Sequence, residues 1–142
     1  MPKKIKKTKS RGMGLSDISP SQVAPKGISF SFKYLKTDHD KFKWIDREIN
    51  YLITLLDRLK SVSNLTAIEM IQNGSNALRC HSIEWDDTSE QCFGIPCEDQ
   101  LVDKPYQFSL SSNAHGRVHG FFINEIFYIV WLDPKHLLYD SK

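Results

Sequence analysis

The chain has 142 residues, 40% of them hydrophobic and 11% aromatic, which suits one domain with its own core. The net charge is +2, but residues 1–26 hold seven lysines and arginines against Asp17, which leaves −4 for the other 116 residues. There is no run of about 18 apolar residues, and the basic N-terminus lacks the apolar stretch of a secretory signal. A membrane span is therefore excluded, and a cytoplasmic protein is expected.

Residues 1–26, "MPKKIKKTKSRGMGLSDISPSQVAPK", carry three prolines and few large apolar side chains. Such a segment buries too little surface to offset its ordering entropy, so a disordered basic tail is expected. Lys3, Lys4, Lys6, Lys7, Lys9 and Arg11 are candidate phosphate contacts without sequence preference, or simply a solubilising tail.

Residues 27–142 read as a single α+β domain. "ISFSFKYL" alternates, with Ile28, Phe30 and Phe32 on one side, and predicts a half-buried strand. "KWIDREINYLITLLDRLKSVS" predicts a helix near 44–62. Ile45, Ile49, Leu52, Leu56 and Leu59 fall at steps of four and three, which puts them on one apolar stripe facing the core. "SNLTAIEMIQNG" predicts a second helix near 65–73, capped by Ser63 or Asn64. "ALRCHSIEW" and "YQFSLSS" read as strands on either side of an acidic loop, and Arg79 on the first of them is a further candidate nucleic-acid contact.

"GRVHGFFINEIFYIVWLDPKH", residues 116–136, reads as a hairpin turning at Asn124-Glu125. That turn pairs Phe122 with Phe127 and, carried back without interruption, Arg117 with Leu132. Alternation then puts Val118, Phe122, Phe127, Ile129 and Trp131 on the helix-packed face. Arg117 and His119 fall on the other face, where Gln107 and Ser109 extend a polar surface. Asp133-Pro134 ends the last strand, and the tail with His136 and Tyr139 can fold beside Arg117. The expected architecture is an antiparallel sheet of about four strands in the order β-α-α-β-β-β, with two helices on one face and the other face open.

On the block "GRVHGFFINEIFYIVWLDPKHLLY" the chain resembles the RelE/YoeB-type toxins of bacterial toxin–antitoxin systems. Arg117 matches the arginine that opens their hairpin, and His136 with Tyr139 looks like their terminal pair, though two leucines separate them here. The resemblance implies a RelE-like fold and an endoribonuclease that cleaves mRNA, free or on the ribosome. It also implies inhibition by a small antitoxin protein.

RNA cleavage without a metal needs a base for the 2′-hydroxyl, a cation for the phosphoryl charge and an acid for the leaving 5′-oxygen. Histidine suits the first and last roles and arginine the second. The candidates are Arg117 as phosphate clamp, His119 and His136 as base and acid in either order, and Tyr139 stacking on a base or donating a proton. Each also has a plain structural reading, as a paired cation or a hydrogen-bonded residue. The alternative function is a non-catalytic interaction protein on the same scaffold, binding protein or nucleic acid through the open face or the basic tail.

No cofactor is implied, since no P-loop, dinucleotide fingerprint or serine-hydrolase elbow occurs. Three cysteines leave one unpaired in any disulfide scheme, which supports a reducing compartment. Zinc at Cys80, His81, Cys92 and Cys97 is disfavoured because Cys80 and His81, adjacent on a strand, point to opposite faces. No metal site is expected.

Overall fold

The computed structural model describes residues 25–73, 78–111 and 114–139, so the tail lysines and Arg11 lie outside the described residues. In chain order the elements are β1 (Ser29–Ser31), α1 (Ile49–Val62), α2 (Ala67–Asn73), β2 (His81–Ser82), α3 (Glu98–Leu101), β3 (Pro105–Ser109), β4 (Arg117–Ile123) and β5 (Ile126–Asp133). The class is α+β, but the sheet has five strands in the order β1-β5-β4-β3-β2 and is mixed. β1 lies parallel to β5, while the other pairs are antiparallel. Parallel pairing is open to β1 because the helices and three strands intervene before β5, whereas a hairpin would force antiparallel pairing.

The helices occupy one face, though not as the stripe predicts. α1 starts at Ile49, after Glu48 in an extended conformation at the N-cap. Its buried residues are Tyr51, Leu55, Leu59 and Val62. Ile45, Ile49, Leu52 and Leu56 are 73%, 74%, 41% and 63% exposed. Both sets obey the helical period and share Leu59. The apolar sector of α1 is wide, and the sheet covers only one edge of it. α2 is capped by Thr66, not by Ser63 or Asn64. The Thr66 hydroxyl accepts from the Glu69 N–H at 3.2 Å, and the Glu69 carboxylate accepts from the Thr66 N–H at 2.9 Å. The β4–β5 turn joins in, since Glu125 accepts from the Ala67 N–H at 2.8 Å.

The hairpin keeps its predicted register from Ile123–Ile126 to Gly120–Ile129, then shifts by one residue at His119/Gly120. Beyond this bulge His119 pairs with Trp131, Val118 with Leu132, and Arg117 with Asp133 instead of Leu132. The extra residue, Val130, reverses the alternation. Trp131 therefore moves off the helix-packed face, and Leu132 joins Val118, Phe127 and Ile129 beneath the helices.

The second face is not open. Phe42, Ile83, Phe93, Ile95 and Leu138 converge there on Phe121, Val130 and Trp131 to form a second core. The acidic loop supplies much of this cover. The Glu98 carboxylate accepts from the N–H groups of Phe93 and Gly94 at 2.9 and 2.8 Å, which folds the loop back on itself. Other departures are local. Phe32 is 52% exposed, because β1 ends at Ser31. "ALRCHSIEW" contributes only His81–Ser82 as strand before a 3₁₀ turn at Trp85–Asp87. No helix among the described residues is long and apolar enough to cross a membrane.

Candidate functional site

Cross-strand pairing gathers polar residues on the second face at the end of the sheet where β4 begins. One row runs His81, Gln107, His119 across β2, β3 and β4, and the next row runs Ser109, Arg117, Asp133 across β3, β4 and β5. The rows lie two residues apart along the strands, about 6.5–7 Å. Cys80, next to His81, packs into the helix-side core, where burial pushes its thiol up to about 12. Among the described residues no group of three metal-ligating side chains is placed to share an ion.

The floor of this region is buried. Gln107, Ser109, His119 and Asp133 are 2%, 0%, 0% and 0% exposed. His119 Nε2 lies 2.9 Å from Asp133 Oδ2. Asp133 also accepts from the Leu137 N–H at 2.8 Å and the Leu138 N–H at 3.0 Å, so it fixes the turn after β5. Burial opposes its ionisation, but the hydrogen bond from His119, with those two N–H groups, holds the carboxyl below its ordinary value. Burial lowers the His119 pKa, aided by the charges of Arg117 and His81 and opposed by Asp133. A neutral imidazole beside an ionised carboxylate must carry its proton on Nε2, which leaves Nδ1 as a bare acceptor.

The rim sets the Arg117 and Arg79 guanidiniums beside two imidazoles. The turn set by Asp133 places His136 at a left-handed φ of 55°. Its pKa is lowered by burial and then by Arg117, with Asp133 opposing and His119 and His81 adding to the shift. Burial and the nearby Arg79 likewise lower the Arg117 pKa. The Tyr139 ring lies 6.4 Å from both the His81 and His136 rings. His81 Nδ1 is 2.8 Å from the Ser82 carbonyl, so it donates there, and Nε2 accepts from Gln107 at 2.9 Å. Five atoms here, Gln107 Oε1, Ser109 Oγ, Arg117 Nε, His119 Nδ1 and His136 Nε2, are buried and have no hydrogen-bond partner. Buried polar atoms are rarely left so, and five of them gather in this one region.

The chain thus brings Arg117, His119, His136, Tyr139 and Arg79 together on one face. His119 is the exception in exposure. It is sealed under the rim with Nε2 engaged by Asp133, whereas Arg117 and His136 are half-buried. Sequence reasoning missed His81 as a member of the site and passed over Asp133 as a strand stop. Beside the site, across the turn from Pro134 to Leu137, a recess is lined by Lys41, Lys43, Arg47 and Lys135 together with Asp40 and Asp46. Comparison with family models, with curated proteins and with solved structures gives no match to this chain.

Proposed function

We propose that the protein is a toxin-like endoribonuclease that cleaves mRNA by a histidine-driven, metal-independent route and is neutralised by a partner antitoxin. The observation that carries this reading is the pair of guanidiniums, Arg79 and Arg117, beside the imidazoles of His81 and His136, above a buried floor of unpartnered polar atoms. Two guanidiniums beside one buried, already engaged carboxylate favour an anion, and a phosphodiester is an anion whose cleavage can use two imidazoles.

In this reading Arg117 clamps the scissile phosphate, with Arg79 beside it. His136 and His81 flank the phosphate as general acid and base, one taking the 2′-hydroxyl proton and the other protonating the 5′-oxygen, with His81 Nε2 giving up its Gln107 partner to do so. This replaces His119 with His81 in the acid–base pair. His119 becomes a positioning residue that holds Asp133 and, through it, the turn carrying His136. Tyr139 offers a ring between the two imidazoles on which a base can stack. The basic recess beyond Pro134 extends the path for the RNA backbone.

The test is cleavage of a labelled single-stranded RNA by purified protein in excess chelator. Cleavage ending in a 2′,3′-cyclic phosphate is expected, and a 2′-deoxy residue at the cut should block it. Arg117→Ala and His136→Asn should each lose on the order of a hundredfold or more. His136→Asn is the cleaner variant, because asparagine tolerates the left-handed backbone. Harmless expression together with intact RNA in these assays would sink the reading. It would leave the second one, a non-catalytic interaction protein, which the exposed apolar side of α1 favours.

A further inference from the structure

α1 has an apolar side that no described element covers. Ile45, Ile49, Leu52, Ile53 and Leu56 are 73%, 74%, 41%, 51% and 63% exposed. Within α1, Ile49, Leu52, Ile53 and Leu56 sit three and four residues apart, so they form one continuous strip beside the sheet-packed edge. Scaled by exposure, the five residues present on the order of 600 Å², the upper end of the largest apolar patch on a typical monomer. Two such patches meeting would bury about 1,200 Å², the lower bound for a stable interface.

We infer that two copies of this chain pair through α1, antiparallel about a two-fold axis between Leu52 and Ile53. The strip is self-complementary in that arrangement. Ile49 of one copy comes opposite Leu56 of the second, and Leu52 opposite Ile53, so an isologous contact closes on itself. The ends match as well. Lys60, in the last turn of α1, comes opposite the turn at Ile45 and Asp46 just ahead of the other copy's helix. Asp46 is 81% exposed on its side chain, with Arg47 4.0 Å away. Antiparallel helices also set the positive end of each backbone dipole beside the negative end of the other. A parallel arrangement would instead stack Lys60 on Lys60. The pairing requires nothing of the RNA-cleavage reading.

Sedimentation equilibrium of the full chain over a concentration series tests it. A reversible monomer–dimer equilibrium in the micromolar range is expected. The double change Ile49→Glu with Leu56→Glu should weaken it by on the order of a hundredfold or more while leaving the melting temperature nearly unchanged, because both side chains are exposed. Should that variant misfold, Leu52→Lys alone serves. Lys60→Glu should weaken pairing severalfold, and adding Asp46→Lys should restore it. A chain that stays monomeric at high concentration overturns the proposal, whether the strip is bare, covered by residues 1–24 or reserved for another protein. A dimer indifferent to the strip variants overturns it too, and a charge swap without restoration overturns the antiparallel arrangement.

Discussion

His136 owes its position to the carboxylate of Asp133, three residues earlier, and its proton affinity to its neighbours. Burial and the charge of Arg117 hold its pKa below the ordinary value, against Asp133. Removing the Arg117 cation makes the imidazolium less costly, so Arg117→Ala should raise the His136 pKa. The expected outcome is an upward shift of the His136 ring titration followed by NMR in that variant, and an unchanged or lower value would show that Arg117 does not face His136. Arg117 and His119 could be read from the sequence because they alternate on a long strand whose inward residues are unmistakable. His136 and Tyr139 followed from the proline that ends that strand. His81 could not be found in that way: its strand is two residues long, too short for alternation to assign a face. Asp133 was hidden because an Asp-Pro pair signals a stop, and nothing in its letters says that the carboxylate then turns inward to accept three hydrogen bonds.

The β-bulge is the element that assembles the site. Without the shift at His119/Gly120, Leu132 would pair with Arg117, and Asp133 would fall on the helix side. Gly120 makes the shift possible. A Cβ there would meet the Tyr128 carbonyl oxygen at 2.0 Å and the Phe127 ring at 2.8 Å. Gly120→Ala should therefore destabilise the fold by about 3 kcal/mol, read as a lower urea midpoint with little change in slope. A loss well under 1 kcal/mol would mean that the hairpin absorbs the methyl group freely. The bulge left no trace in the sequence because Val130 and Trp131 are both apolar, so a slip between them breaks no polar–apolar pattern. The same ambiguity governs α1. Two overlapping stripes satisfy one period, and only the sheet decides that Tyr51, Leu55, Leu59 and Val62 go inward. Periodicity locates a helix well and ranks its apolar faces poorly when the apolar sector is wide.

At the scale of the whole molecule the sheet lies between two unlike layers. The helices cover one face, and loops with the C-terminal turn cover the other. The loops were legible as loops, but their cover was not, since Ile83, Phe93, Ile95 and Leu138 lie in short apolar pieces with no strand or helix period to give them a face. Their burial encloses the His119–Asp133 pair, and that ties stability to pH. His119 binds its proton less readily folded than unfolded, chiefly through burial, and His136 shares the direction. The unfolded chain takes up these protons near pH 6.5, so the stabilisation is complete above that pH and declines as pH falls below it. Asp133, held below its ordinary value, adds a second loss that sets in below about pH 4. The melting temperature should accordingly fall between pH 7.5 and pH 5, before ordinary acid denaturation. In His119→Gln the side-chain amide can still donate to Asp133 but does not titrate, so the fall over that window should be shallower than in the wild type. Parallel slopes for the two proteins would mean that His119 is protonated as easily in the fold as out of it, and the neutral ring with a bare Nδ1 would then be the wrong description of the floor of the site.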